Sequence, residues 1–254
     1  MSCKPEIQNN HEQRNVQRYA AILFAVICLF SFNSCSIYSP SVSSPVLVKN
    51  KGDKQTDISI TTSDQLGSGV GFSFSKAYGL KDNTALRFTV TKELGGKNEL
   101  DFTLGKYTVL SPKTRFGLFP GLSGGFINYT DMTGDIKNAD WERWSGHYFS
   151  PYLRLQFLAE FDFMTVGAGT TIRYFIPDFY RDDERFNQTG FAIEPSLFIM
   201  PTYAKRRTHL TLNCAYSDFH PVGRLHPGYN YYSDHYFNKL VFSIGINYYI
   251  SSRE

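Results

Sequence analysis

The sequence has little charge and few cysteines for its 254 residues. Asp, Glu, Lys and Arg make up 19% of the chain, and a formal net charge of +3 is too small to indicate a nucleic-acid partner. Four cysteines, Cys3, Cys28, Cys35 and Cys214, provide neither a disulfide framework nor zinc-ligand spacing. After the N-terminal apolar run no stretch is long enough for a transmembrane helix, and no glycine-rich nucleotide loop occurs. We therefore expect no cofactor.

An apolar run occupies Tyr19–Phe32 and follows two arginines. This order has the length of a signal peptide and is short for a spanning helix. The run ends in Phe32-Asn33-Ser34-Cys35, which resembles the lipobox of bacterial lipoproteins, although Phe32 and Asn33 depart from the usual residues. The resemblance implies a signal peptide at residues 1–34 and a lipid on Cys35. The alternative is an ordinary signal peptide cut near Ser34–Ser36.

Residues 35–54 are rich in Ser and Pro, and Pro40 and Pro45 favour an extended chain, which we interpret as a tether. Residues 55–250 alternate between apolar and polar or small side chains in ten segments, and residues 251–254 form a short tail. The last segment, Leu240–Ile250, has a strict period of two, which predicts a strand with one apolar face. Its length suffices for a tilted strand to cross a bilayer, for which about 9–11 residues are needed.

The other nine predicted strands share this alternation: Gln55–Ser63, Gly69–Tyr78, Thr84–Lys92, Asn98–Val109, Arg115–Tyr129, Tyr148–Ala159, Phe163–Ile176, Phe191–Met200 and Thr208–Tyr216. The connections alternate in length in the second half of the chain. The short ones are Lys81–Asn83, Ser111–Thr114, Glu160–Asp162 and Pro201–Arg207, and the long ones are Thr130–His147, Pro177–Gly190 and Ser217–His235, whereas the first two on the long side, Asp64–Ser68 and Glu93–Lys97, are brief. Short turns on one rim and long loops on the other are typical of outer-membrane barrels, with the long loops outside the cell.

Six charged residues lie in mid-strand opposite the apolar stripe: Arg87, Glu99, Asp101, Arg154, Arg173 and Glu194. In a membrane barrel they would face the lumen and pair there. In a soluble periplasmic, lipocalin-like barrel they would face water, and the apolar stripe would fill the inside. The period alone does not separate the two arrangements, but the leader and the loop asymmetry favour the membrane barrel.

The leader, the tether and the strand pattern together resemble small Gram-negative outer-membrane β-barrel lipoproteins of porin-like or OmpA-like architecture. The resemblance implies an all-β, antiparallel, up-and-down transmembrane barrel of about ten strands. It also implies a place in the outer membrane, with outer-membrane lipid and the barrel-assembly machinery as partners. It carries over no biochemical activity. We therefore predict a structural or surface-binding role and no enzymatic activity.

Two groups of residues are candidates for binding a glycan or a small ligand at the outer loops. Trp141 and Trp144 could stack on sugars or belong to the aromatic girdle of the membrane interface. His220, His226 and His235 lie with two aspartates in the last long loop, but their spacing matches no strong zinc motif, so no metal is predicted. Ten strands with Asp and His in outer loops also resemble the omptin proteases, although no omptin motif is present. A ligand-binding barrel and an outer-membrane hydrolase therefore remain as alternatives.

Overall fold

The structure is a computed structural model, and it describes residues 44–63, 70–93, 97–133, 140–182, 184–201, 208–222 and 240–252. Within these ranges no helix is long and apolar enough to cross a membrane. The strands are β1 (Lys54–Ser63), β2 (Val70–Lys81), β3 (Thr84–Glu93), β4 (Asn98–Ser111), β5 (Thr114–Thr133), β6 (Asp140–Glu160), β7 (Met164–Arg181), β8 (Glu184–Phe186), β9 (Gly190–Pro201), β10 (Thr208–Tyr216), β11 (Asp218–Pro221) and β12 (Leu240–Ile250).

Ten of these strands close into a barrel. Each long strand pairs antiparallel with the next, and β12 pairs with β1 from Lys54↔Ile250 to Ser63↔Val241. The two short strands are additions, since β8 pairs antiparallel with the end of β7 and β11 pairs with β9 beyond β10. Closure removes the open sheet edge, which is what a strand structure in a bilayer requires. The prediction of an all-β, up-and-down antiparallel barrel of about ten strands is confirmed.

Side chains alternate between the lumen and the outside along every long strand. On β2 and β4 the inward positions are buried, and the outward positions expose apolar groups such as Phe72 (48%), Phe102 (49%) and Leu100 (57%). These outward residues form a continuous apolar belt that no water-soluble surface of this size would present. The apolar stripe therefore faces lipid, and the soluble barrel, which needs it inside, is excluded.

Three adjacent strands are much longer than the belt requires. β5, β6 and β7 have 20, 21 and 18 residues, whereas β1 has 10. The long loops predicted at Thr130–His147 and Pro177–Gly190 are therefore mostly strand, since β5 continues to Thr133 and β6 begins at Asp140. The alternating pattern fades there because an outward side chain beyond the lipid need not be apolar, although the backbone ladder continues.

A segment ahead of β1 lies inside the barrel, and we call Ser44–Asn50 the plug segment. Ser44, Val46, Leu47 and Val48 are each less than 9% exposed. Residues 44–50 belong to the predicted tether, yet the structure places them in the lumen at the rim that carries the short turns. A glycine makes room for the plug segment: a Cβ on Gly79 would lie 1.9 Å from the Asn50 carbonyl oxygen and 2.9 Å from Val48 Cγ1.

Candidate functional site

The plug segment is held by hydrogen bonds from inward side chains to its backbone. The carbonyls of residues 44–47 accept bonds from four strands: Arg87 donates to Ser44, Gln55 Nε2 to Pro45 at 2.7 Å, Tyr107 to Val46 and Arg115 to Leu47 at 3.4 Å. The Leu47 N–H in turn donates to Gln55 Oε1 at 2.7 Å. Because buried peptide groups need partners, these side chains fix an irregular segment inside the barrel.

Asp53 joins the plug segment to both ends of the barrel wall. Its carboxylate accepts bonds from the Lys49 N–H (3.1 Å), the Asn50 N–H (2.8 Å), the Tyr249 hydroxyl (2.6 Å) and the Ser252 N–H (2.8 Å). Burial acts to raise the pKa of Asp53, but these donors favour the charged form and together lower the pKa to about 2. Asp53 therefore remains ionised and ties the chain ahead of β1 to the residues after β12.

Lys49 of the plug segment and Arg115 of β5 share the carboxylate of Glu160 on β6. Lys49 Nζ lies 2.7 Å from Glu160 Oε2, and Arg115 donates to the other oxygen of the same group. Beside this pair a cavity of about 310 Å³ opens at the short-turn rim, lined by Lys49, Asn50, Asp82, Asn83, Val109, Ser111, Pro112 and Arg115. The plug segment is thus accessible only from its Lys49–Asn50 end within the described residues.

A layer of charged and polar side chains fills the middle of the lumen. Arg87 Nη2 lies 3.4 Å from Asp57 Oδ2, with both side chains at most 5% exposed, and Ser75 Oγ bridges them. Arg173 Nε lies 3.5 Å from Glu194 Oε1, and these side chains are at most 4% exposed. Buried charges persist when they are paired, so each strand that contributes one charge depends on another strand for its partner.

The remaining charged positions predicted for the lumen also lie inside. Glu99 accepts a bond from the Tyr148 hydroxyl and lies 3.3 Å from Lys97 Nζ. Asp101 accepts a bond from Thr103 at 3.0 Å, and Arg154 donates to Thr171 at 3.2 Å. The structure thus places Arg87, Glu99, Asp101, Arg154, Arg173 and Glu194 all in the lumen. Lys97 and Asp57 belong to the same layer and were missed: Lys97 lies just before the predicted strand Asn98–Val109, and Asp57 lies within the predicted strand Gln55–Ser63 but was not identified as a lumen charge.

Aromatic rings close the lumen toward the long-loop rim. The buried cluster consists of Ile127, Trp144, Tyr148, Phe175, Phe179, Phe186, Ala192 and Phe219. Trp144 is 0% exposed, so it is neither a sugar-stacking platform nor a girdle residue, as the sequence had suggested. Its position was missed because the inward direction at residue 144 depends on how far β6 continues past the belt. The side chain of Trp141 lies outside the described residues.

Polar groups on the outer face of the long-loop rim form two groups, and the first is a pair on β11. His220 Nε2 lies 3.3 Å from Asp218 Oδ2, and both side chains are more than half exposed. Between them Phe219 turns into the aromatic cluster, so the pair points away from the lumen. His226 and His235, predicted with His220 as ligand residues, lie outside the described residues.

The second group is a patch on β6, β7 and β8 that we call the rim patch: His147, Asp178, Tyr180 and Arg185. His147 and Asp178 are cross-strand partners, with Nε2 3.9 Å from Oδ2, and Arg185 Nε lies 2.7 Å from Asp178 Oδ1. Tyr180 pairs with Arg185 across the β7–β8 hairpin and is 38% exposed. Sequence reasoning missed this patch because its members meet only through a register that the fading alternation does not reveal.

Three solved structures are similar to this chain. The outer membrane protease OmpT from Escherichia coli has a TM-score of 0.48 at 10% identity and covers 82% of this chain and 100% of that chain. The translocator domain of the autotransporter NalP from Neisseria meningitidis scores 0.44 at 11% identity and covers 94% and 97%. LpxR from Salmonella typhimurium scores 0.38 at 8% identity and covers 77% and 100%. No protein-family model matches the sequence, and no curated protein matches it.

The architecture is that of an outer-membrane β-barrel. The prediction that the chain is not an enzyme is wrong as a conclusion from the fold, because the solved barrels with a similar fold include an outer membrane protease. A sequence pattern that indicates such a barrel therefore gave no ground for excluding catalysis. At 8–11% identity these likenesses concern the fold and assign no reaction or substrate to this chain.

Proposed function

We propose that the protein is a sealed barrel that acts through its surface at the long-loop rim rather than as a channel. The observation that supports this proposal is the filling of the lumen in three successive layers. Each layer has a side chain that is 0% exposed: Val48 in the plug segment, Arg173 among the paired charges and Phe179 in the aromatic cluster. Barrels with few strands are narrow, and side chains suffice to fill their interior.

Electrical recording tests the seal. The purified protein in planar bilayers should give no stable conductance steps, whereas a porin treated in the same way should give them. A variant that lacks the rings of the upper layer, Phe175→Ala with Phe179→Ala, checks that the assay can detect an opened lumen. Stable steps from the unaltered protein would overturn the proposal.

The surface that we propose for ligand binding is the rim patch. Tyr180 offers a partly exposed ring, and Asp178, His147 and Arg185 offer charged donors and acceptors beside it. An aromatic face flanked by such groups suits an envelope glycan or a small polar ligand. Calorimetry with envelope oligosaccharides should detect binding that Tyr180→Ala weakens and that Phe102→Leu, a change within the lipid belt, leaves intact. No binding, or equal loss in both variants, would contradict this assignment.

Hydrolysis is the second candidate function, and the Asp218–His220 pair supports it. A carboxylate 3.3 Å from an imidazole nitrogen orients the ring, whose other nitrogen can accept a proton from water. The pair points outward, so a substrate would approach from the outer face of the barrel. Turnover of peptide or ester substrates that His220→Ala abolishes, while Phe102→Leu in the lipid belt leaves it unchanged, would support this function. Turnover that survives His220→Ala would reject it.

We also propose that Cys35, which lies outside the described residues, carries a lipid. The lipobox-like Phe32-Asn33-Ser34-Cys35 supports this proposal. Metabolic labelling with a fatty-acid analogue should tag the natural chain and leave Cys35→Ser untagged. Equal labelling of both chains would mean that the cysteine is not the acceptor.

A further inference from the structure

Lysines gather on the lipid-facing wall at the short-turn rim. We call Lys54, Lys76, Lys81 and Lys106 the lysine cluster, and all four side chains are exposed. They lie on the neighbouring strands β1, β2 and β4, while β3 contributes Thr84 between them. Both Lys81 and Lys106 pair with Thr84, so about 10 Å separates their backbones across two strand spacings.

Lys54 and Lys76, the two lysines nearest the place where β1 pairs with β12, are also close to each other. Lys54 lies opposite Tyr78, and Lys76 follows two residues away on the same outward face of β2. Such diagonal neighbours are about 7–8 Å apart, and like charges at this separation repel one another. The ammonium group of Lys76 lies 5.8 Å from the centroid of the Phe74 ring, which belongs to the apolar belt. The lysine cluster is thus at the edge of the hydrocarbon and not out in water.

Among the described residues, no acidic side chain lies on the outer wall around the lysine cluster. None of the outward positions that the structure describes on β1, β2, β3 and β4 is Asp or Glu. Most carboxylates described at the same rim are engaged elsewhere: Asp53 with the plug segment, Glu160 with Lys49 and Arg115, and Asp162 with Lys113. Asp82, in the turn next to Lys81, accepts a bond from the Lys51 N–H at 3.2 Å. In the part of the chain that the structure describes, the four lysines therefore outnumber the carboxylates beside them, and the lysine cluster has a local excess of positive charge.

We infer that the lysine cluster is a binding site for the headgroups of anionic phospholipids in the leaflet at the short-turn rim. The position decides the class of ligand, since a molecule there must reach lysines that border lipid-facing rings such as Phe74 and Tyr78. A phospholipid does so with its phosphate on the lysines and its acyl chains along the belt. Basic residues next to a membrane attract anionic lipid, and their long apolar stems let the ammonium groups reach the headgroup level.

Native mass spectrometry of the detergent-purified protein, titrated with phosphatidylglycerol or phosphatidylcholine, tests the inference. The natural chain should bind phosphatidylglycerol about tenfold more tightly, and added NaCl should reduce this preference. A variant with Lys54→Gln, Lys76→Gln, Lys81→Gln and Lys106→Gln should bind the two lipids equally. The control is Lys92→Gln, because Lys92 is outward on β3 at the opposite rim and its loss should leave the preference intact.

Heat-modifiable migration on gels shows whether each variant has folded, and the comparison is made between folded forms. Equal binding of both lipids by the natural chain would overturn the inference. A preference for phosphatidylglycerol that survives the loss of all four lysines would overturn it too. A loss of preference in Lys92→Gln would show that net charge, and not this site, selects the lipid.

Discussion

The buried polar side chains of the lumen are stabilised by the hydrogen bonds and ion pairs that they make with one another. Arg87 is the clearest example. It pairs with Asp57, bonds to Ser75 and donates to the Ser44 carbonyl of the plug segment. The sequence predicted that Arg87 faces the lumen, because its position on β3 is set by the period of two. Its partners were not predictable, since they come from a different strand and from a segment without any periodic pattern.

Replacing Arg87 alone should lower the free energy of unfolding far more than replacing Arg87 and Asp57 together. Arg87→Leu leaves the Asp57 carboxylate buried without its cation, and we expect a loss of about 3–5 kcal/mol in the free energy of unfolding. Arg87→Leu combined with Asp57→Asn should lose less than the sum of the two single changes, because no charge is then stranded. Urea unfolding in lipid vesicles measures all three values. Additive losses would mean that the two residues do not interact.

Because the pKa of Asp53 is lowered in the folded chain, we expect the stability of the protein to depend on pH in the acid range. Its pKa is about 2 in the folded chain and has an ordinary value of 3.8, so the folded state binds the proton less readily. Its contribution is therefore complete above about pH 4 and is lost as the pH falls toward 2. The urea midpoint of the natural chain should fall across this window more than that of Asp53→Asn. An identical fall in both chains would remove Asp53 as the cause.

At the scale of the strand, the cost of a charge on the outward face of β4 depends on its depth in the membrane. Phe102 is 49% exposed in the middle of the lipid belt, whereas Thr108 is outward near the short-turn rim. Phe102→Arg should cost about 2–4 kcal/mol, and Thr108→Arg about 0–1 kcal/mol, because the penalty depends on depth. Unfolding measurements in vesicles compare the two directly. Equal costs would mean that the belt does not lie in hydrocarbon.

How well an element could be predicted depended on whether lipid constrained its outward face. Within the belt the alternation is strict, and Leu240–Ile250 has the same bounds in the sequence prediction and in the structure. Beyond it the constraint ends, so the outer parts of β5, β6 and β7 were taken for loops. The rim patch and the inward position of Trp144 both depend on those extensions, which is why neither was predicted.

At the scale of the whole molecule, the ten strands place alternate connections on opposite rims. An epitope inserted near Gly134, between β5 and β6, should be reached by antibody on intact cells. One inserted near Asp162, between β6 and β7, should be reached only after the outer membrane is opened. Equal labelling at both sites on intact cells would contradict the orientation in which the long-loop rim faces outward.

From the contacts of the plug segment we expect an order of events in folding. Its carbonyls are held by Gln55, Arg87, Tyr107 and Arg115, which all belong to β1, β3, β4 and β5. The bonds to these carbonyls therefore need only the first half of the sheet and not β12. We expect the segment to be seated before β12 pairs with β1, so that nothing has to be threaded through a finished cylinder. A circular permutation that moved residues 44–53 behind β12 would reverse this sequence, and the permuted chain should refold more slowly even where its final contacts are unchanged.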